Sequence, residues 1–333
     1  MSATSERKYW LGFDLGGTKM LAQVYDDEFR LLGKARKKTK AAQDVDAGMD
    51  RIAVVIDEAL ADARLTAEQL SGIGIGCPGP VDMEAGIVCN PPNLAWQDVS
   101  VRKLLAKRYP CPVAVVNDVD AGVYGEYRFG AGKKARCVVG IFLGTGIGGG
   151  CVYQGQILTG RRRSCMEIGH LQVTPRGPLC GCGRRGCLES VASRLAIAAN
   201  AAKCVYRGEA PKLQEIAGTD LANIRSNAIA QSVKGGDVAI EWLVEEAARH
   251  IGIAVASIVH LLAPDVVVLG GGLVESLPEM IRKIVEDEAR KRVMGAYVNE
   301  FRVTVATLGD DAGALGAAAW AAYVLGPPAP TPV

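Results

Sequence analysis

The sequence predicts an alternating α/β protein built from two related units, and three observations carry that expectation. A short apolar strand, Tyr9 to Phe13, runs into Asp14-Leu-Gly-Gly-Thr-Lys19 and at once into a second apolar strand, Met20 to Tyr25. The same design returns as Val138 to Leu143, Gly144-Thr-Gly-Ile-Gly-Gly-Gly150 and Cys151 to Tyr153. Between and beyond them, apolar runs of strand length alternate with longer segments of helical period.

Strands joined through glycine and threonine read as hairpins whose turns expose backbone N–H groups. Glycine has no Cβ to block close approach, so each N–H can donate to a phosphate oxygen. A single turn of this kind equally fits an ordinary hairpin. Two of them, each opening half of the chain, point to a duplicated α/β unit with phosphates held between the halves. Neither turn has Walker spacing. Gly-x-Gly-x-x-Gly does occur in the second, but a strand follows it, where a dinucleotide site requires a helix N-terminus.

The remaining elements follow in order. Asp46 to Ala63 has helical periodicity, and Gly72 to Gly76 is a strand leading into Cys77-Pro-Gly-Pro80. Val113 to Val116 is a buried strand with Asn117-Asp118 at its end and a helix starting nearby. Glu189 to Val205 and Val238 to Leu262 are long helical patterns, the latter stopped by Pro264. Strand Val266 to Leu269, Gly270-Gly-Gly272 and a helix from about Leu277 to Arg292 come next. A strand near Val303 to Ala306 precedes Gly309-Asp-Asp-Ala312, whose aspartates suit a helix N-terminus. The expected division is 1–118 and 119–311, with the helix at about 312–325 packing back on the first part.

Composition narrows the function. The chain has 333 residues, of which 49% are hydrophobic and 22% charged, with net charge +2. That length supports two substantial cores. Its basic residues form no single block, so no nucleic-acid partner is expected. Charges interrupt every apolar run before bilayer-spanning length, and the N-terminus lacks the apolar stretch of an export signal. A cytoplasmic protein with no membrane partner is the expectation.

The densest chemistry is Glu167-Ile-Gly-His170 followed by Cys180-Gly-Cys182-Gly-Arg-Arg-Gly-Cys187-Leu-Glu189. One imidazole and three thiolates form a closed tetrahedral set for Zn²⁺, with no position left for water. A structural metal held by His170, Cys180, Cys182 and Cys187 is expected, with the flanking Glu167 and Glu189 as working groups. Disulfide pairing is the alternative, but a C-x-C pair makes a strained bridge. The other seven cysteines stand in apolar surroundings and read as small core residues.

Asp118 leads the catalytic candidates. It follows a buried strand, where open α/β sheets place ligand-handling groups. A carboxylate there can take a hydroxyl proton while that oxygen attacks phosphorus, and the Asn117 amide can orient the acceptor. The competing reading is a helix N-cap. Asp14, at the rim of the first turn, suits a water ligand of Mg²⁺ or an Asx-type turn bond. Gly270-Gly-Gly272 either admits an adenosine close to the backbone or simply ends a strand. Pro78-Gly79-Pro80 bends beside the acceptor. His250 and His260 read as packing side chains, and no Ser/His/Asp nucleophile system is evident.

Taken in order, Asp14-Leu-Gly-Gly-Thr-Lys19, Cys77-Pro-Gly-Pro-Val-Asp82, Asn117-Asp118, Leu143-Gly-Thr-Gly-Ile-Gly148, Glu167-Ile-Gly-His170 and the cysteine segment through Glu189 resemble the ROK family (repressors, open-reading-frame proteins and sugar kinases) over about residues 9 to 323. The resemblance implies a duplicated ribonuclease H-like fold of the actin/hexokinase type, with two lobes closing over ATP·Mg²⁺ and a hexose. It implies Asp118 as the base for the sugar 6-hydroxyl, and Gly79, Asn117, Glu167, His170 and Glu189 as acceptor contacts. His170 would serve both zinc and sugar, one nitrogen for each. Gly16, Gly17, Thr18, Lys19, Gly144, Thr145 and Gly146 would meet the phosphates, and Gly271 and Gly272 the adenosine. A homodimer or homotetramer is implied.

The implied activity is that of a glucokinase. N-acetylmannosamine and fructose kinases share the same core motifs. The family also contains sugar-responsive repressors, but only eight residues precede Tyr9, too few for a helix-turn-helix module. One departure stands out: the family commonly has small residues before Glu167, where this chain has Arg161-Arg-Arg-Ser-Cys165. A solvated loop is expected there, the alternative being a preference for an acidic or phosphorylated acceptor.

Overall fold

The computed structural model describes residues 8–17, 19–39, 44–91, 94–161 and 164–326. Thr18, Arg162 and Arg163 lie outside the described residues. The chain forms two compact units. The first holds the residues up to Gly130, Ile157–Cys165 and those from Asp310 onward; the second holds Ala131–Gln156 and Met166–Gly309.

In the first unit, β1 (Tyr9–Leu15), β2 (Lys19–Tyr25), β3 (Leu31–Lys38), β4 (Leu70–Cys77) and β7 (Val113–Asn117) form one sheet in the order β3-β2-β1-β4-β7. β1 and β2 are antiparallel, whereas β4 runs parallel to both β1 and β7. A small ribbon of β5 (Val81–Asp82) and β6 (Ile87–Val88) stands beside it. Among its helices are α1 (Val45–Ala63), α2 (Val101–Ala106) and α3 (Asp118–Phe129). β1 and β4 are almost continuously apolar because they are buried on both faces. Their side chains interlock with Met49, Ile52 and Ile56 of α1 in one core cluster.

The second unit repeats the plan. β8 (Cys137–Leu143), β9 (Ile147–Tyr153), β10 (Gln156–Ile157), β11 (Val266–Gly270) and β12 (Arg302–Val305) lie in the order β10-β9-β8-β11-β12. β8 and β9 are antiparallel, and β11 is parallel to both β8 and β12. Numbered within each unit, both sheets read 3-2-1-4-5. That identity is the duplication expected from the two glycine turns, and the fold is of the actin/hexokinase type. The helices are α4 (Leu188–Ala192), α5 (Arg194–Tyr206), α6 (Pro211–Ile216), α7 (Ser226–Lys234), α8 (Val238–Leu262), α9 (Gly272–Ser276) and α10 (Pro278–Arg290). Helix α11 (Ala312–Leu325) packs on β1 and β4 of the first unit. It sits close because a Cβ on Gly12 or Gly74 would overlap the α11 backbone at Ala314 or Ala317.

Several boundaries differ from expectation. The first unit continues through α3 to Gly130 instead of ending at Asp118, because α3 packs along α11. Residues 157–165 also join it, anchored where Ser164 N–H donates to the Val81 carbonyl at 3.1 Å. The helix expected over Glu189 to Val205 is broken at Ser193, whose extended backbone (ψ 157°) and hydroxyl cap a new helix through the Ala196 N–H. Asp310 and Asp311 do not cap α11 through their side chains. Instead they pair with Lys19, Arg36 and Lys34 on β2 and β3. Among the described residues, no helix is long and apolar enough to cross a membrane.

Candidate active site

In the first unit the candidates gather at the ends of β1, β4 and β7. Asn117 ends β7 and caps α3: its Oδ1 accepts from the N–H groups of Val119 at 3.0 Å and Asp120 at 3.2 Å. The cap is therefore Asn117, and Asp118 is the first helical residue. The Asn117 Nδ2 has only a long contact, 3.5 Å, to the Cys77 carbonyl. It points at Gly79, where a Cβ would stand 2.8 Å from it. Gly79 is thus required for room beside an amide donor. The same Cβ would lie 3.8 Å from Ser164 Oγ, so the segment containing Arg161 borders Gly79. Arg161 itself is exposed.

Asp118 accepts the Val119 N–H on Oδ1 at 2.9 Å. Burial, and after it the neighbouring Asp14 charge, push its carboxyl up to about 7. Asp14 is likewise raised to about 6 by burial, with Lys19 opposing and Asp310 adding to the shift. Two such carboxyls beside one another are an unusual expense in a fold and a mark of function. The Lys19 ammonium, expected at the phosphates, pairs with Asp310.

Both glycine turns close on themselves. The Gly16 N–H donates to the Lys19 carbonyl at 3.0 Å, and the Gly144 N–H to the Gly146 carbonyl at 2.9 Å. Those two N–H groups are spent within the turns, so they are not among the donors the turns can offer an anion. The second turn is also shorter than expected, since β9 begins at Ile147. Gly149 serves packing: a Cβ there would stand 2.5 Å from Ile168 and from the Met166 carbonyl. It lets the Glu167–His170 segment lie against the strand. Gly271, with φ +96°, passes so close to Leu143 that a Cβ would collide with that carbonyl.

The four expected metal ligands converge. One ligand atom each from His170, Cys180, Cys182 and Cys187 lies within 4.8 Å of the others. Cys182 and Cys187 sulfurs are 3.7 Å apart, and Cys180 Sγ is 3.7 Å from His170 Nδ1. A tetrahedron with metal–sulfur bonds of about 2.3 Å has edges of about 3.8 Å, so the donors fit a tetrahedral ion. The loop is pinned by backbone bonds from Cys180 N–H to Arg184 and from Gly183 N–H to Cys180. Burial and the neighbouring thiols push Cys187 up to about 12, while the Arg184 backbone lowers Cys182. Such a crowd of thiols ionises together only around a cation. All ten cysteines are unbridged. His250 and His260 bond the backbone of Glu246 and Met294.

Glu189 accepts the Ile147 N–H at 3.0 Å, and Glu167 stands exposed at the start of its segment. The sequence reading missed Arg194, whose Nη2 donates to Thr145 Oγ1 at 2.9 Å. Nothing in its local pattern separates it from a surface arginine; its position is known only once α5 is placed.

Two similar five-stranded sheets, each opening on a glycine turn, place the chain in the actin/hexokinase-type class of folds. A family model described as the ROK family matches residues 10–323. The chain belongs to the ROK family. It is 34% identical over 309 residues to a glucokinase of Thermotoga maritima, covering 92% of this chain and 95% of that one. A ROK glucokinase from Streptomyces griseus, solved with glucose and AMPPNP, superposes with a TM-score of 0.81 at 31% identity, covering 94% of this chain and 98% of that one. A xylose repressor of Caldicellulosiruptor bescii is 29% identical, covering 79% of this chain and 65% of that protein. The enzyme class is that of a sugar kinase.

Proposed function

We propose that this protein transfers the γ-phosphoryl group of ATP to the 6-hydroxyl of a hexose, with glucose as the leading acceptor. The observation that carries the reading is Asp118: a carboxyl raised to about 7, beside Asn117, at the end of a parallel strand. A base with that pKa is half ionised near neutrality, where proton transfer is most effective. Asp118 takes the proton as the 6-oxygen attacks the γ-phosphorus in line; the bond to the bridging oxygen breaks and ADP leaves.

Asn117 and Gly79 in the first unit, and Glu167, His170 and Glu189 in the second, are the proposed acceptor contacts. Gly17, Thr18, Thr145 and Gly146 are the proposed phosphate contacts, with Gly16, Lys19 and Gly144 shaping the turns. Gly271 and Gly272 would face the adenosine, and Asp14 would hold the nucleotide's Mg²⁺ through water. The cysteine cluster would bind Zn²⁺ as a structural clamp for His170 and Glu189.

A coupled ADP-release assay across glucose, mannose, fructose and N-acetylated hexosamines tests the reading. Turnover best with N-acetylmannosamine or fructose replaces the acceptor and keeps the chemistry. Sugar binding with no turnover on any of them would move the protein to the regulator side of its family, which the repressor relative represents.

A further inference from the structure

Arg194 brings a guanidinium group to the rim of the second glycine turn, within reach of the Arg225 charge. Arg194 opens α5 and is tied to the turn at both ends. Its N–H donates to the Gly144 carbonyl at 3.2 Å, and Nη2 donates to Thr145 Oγ1 at 2.9 Å. Arg225 stands just before α7, its Nε donating to the Ala222 carbonyl at 3.0 Å. The next residue, Ser226, has its Oγ 3.3 Å from where a Gly272 Cβ would be, and Gly271 passes against Leu143, beside the turn.

Burial, and after it the Arg225 charge, lower the Arg194 pKa. Among the described residues, neither guanidinium forms an ion pair with a carboxylate. By contrast, Arg207, Arg249, Arg282, Arg290 and Arg292 of the same unit each pair with a glutamate. A guanidinium at a glycine turn with no carboxylate ion pair, in the field of a second one, favours an anion, and a guanidinium fork matches phosphate oxygens better than any other side chain. The N-terminus of the 13-residue α5 adds to that field.

We propose that Arg194, supported by Arg225, binds the phosphate chain of the nucleotide donor and makes the site select phosphorylated nucleotides over nucleosides. This rests on the kinase reading above and adds two residues to its donor site. The hydroxyl of Thr145 and the Gly144 carbonyl hold Arg194 in place, so little side-chain freedom is lost when an anion arrives.

Calorimetry with ADP and with adenosine, on the full chain, tests it. Arg194→Ala should weaken ADP binding about tenfold to a hundredfold, the loss of one charged hydrogen-bonding group, and leave adenosine unchanged. Arg194→Lys, which keeps charge without the fork, should recover part of the loss. Arg225→Ala, on a separate element, should lower ADP affinity in the same sense and less. Unchanged ADP affinity in Arg194→Ala overturns the proposal, as does an equal loss for adenosine, which would assign the residue to the nucleoside or to packing. Failure of the wild-type protein to bind ADP at all would instead remove the kinase reading on which it rests.

Discussion

Glu189 reaches out of the cysteine loop into the second glycine turn. Its Oε2 accepts the Ile147 N–H at 3.0 Å, and a Cβ on Gly146 would collide with that same oxygen. Its Oε1 lies 3.7 Å from Cys180 Sγ. One side chain therefore ties the clustered thiols to the turn proposed for the donor phosphates. Glu189→Gln keeps an acceptor for Ile147, whereas Glu189→Ala leaves a partly buried N–H unpaired, costing about 1–3 kcal/mol. Thermal melts should rank wild type above Gln and Gln above Ala, with ADP affinity following the same order. Identical behaviour of the two variants would mean the bond to Ile147 carries nothing.

Asp118→Asn should lower turnover by about 10²–10⁴-fold, the usual contribution of a general base. The amide is close to isosteric, so hexose and ADP affinity measured by calorimetry should stay near wild type. Wild-type turnover in this variant would refute the assignment of the base.

Acidity gives an independent reading of the same group. With Asp118 raised to about 7, activity at low acceptor concentration should climb with pH through that value and level off above it. The stability effect has the opposite sense. The unfolded carboxyl titrates near its ordinary value of 3.8, so between there and about 7 the folded chain holds the extra proton. Its contribution to stability is thus full below that window and is lost as pH rises through it. Asp118→Asn should melt higher than wild type by a margin that widens from about pH 4 to about pH 7 and is constant beyond. A margin independent of pH would show that Asp118 is not raised.

Gly79→Ala places a methyl 2.8 Å from Asn117 Nδ2. Displacing that amide disturbs both its donor side and the α3 cap, a device worth about 1 kcal/mol. The acceptor KM should rise several-fold together with a lower melting temperature, and the ADP affinity should hold. An unchanged acceptor KM would show that Gly79 and the Asn117 amide lie outside the acceptor site.

Metal analysis of the purified protein should find one zinc per chain. Cys182→Ser, at the exposed ligand, should release it and weaken acceptor binding through His170. Because Glu189 links the cluster to Ile147, ADP affinity should also fall, though less. Full hexose affinity in zinc-free protein would separate the metal from the acceptor contacts.

The strands and most helices were readable because their residues repeat a physical constraint. β1, β4, β8 and β11 are apolar on both faces, and α8 runs over the full span its periodicity indicates, Val238–Leu262. The break at Ser193 was hidden, since a serine between two helical runs looks the same in an unbroken helix. The convergence of His170, Cys180, Cys182 and Cys187 was legible because His and Cys at such close spacing have few other uses. Asn117-Asp118 was legible as a pair, but which of them caps α3 depended on backbone angles that sequence does not carry.

What this chain's residues settled unaided is local and chemical: two glycine turns, a cluster of one histidine and three cysteines, and an acid at the end of a strand. Each follows from short-range geometry, in which neighbours along the backbone are neighbours in space. The folded structure alone decided which carboxyls are raised, where Lys19 and Asp310 spend their charge, and that Arg194 stands over Thr145. Those depend on burial and on pairs far apart in sequence, and no local pattern encodes the field that a distant segment imposes.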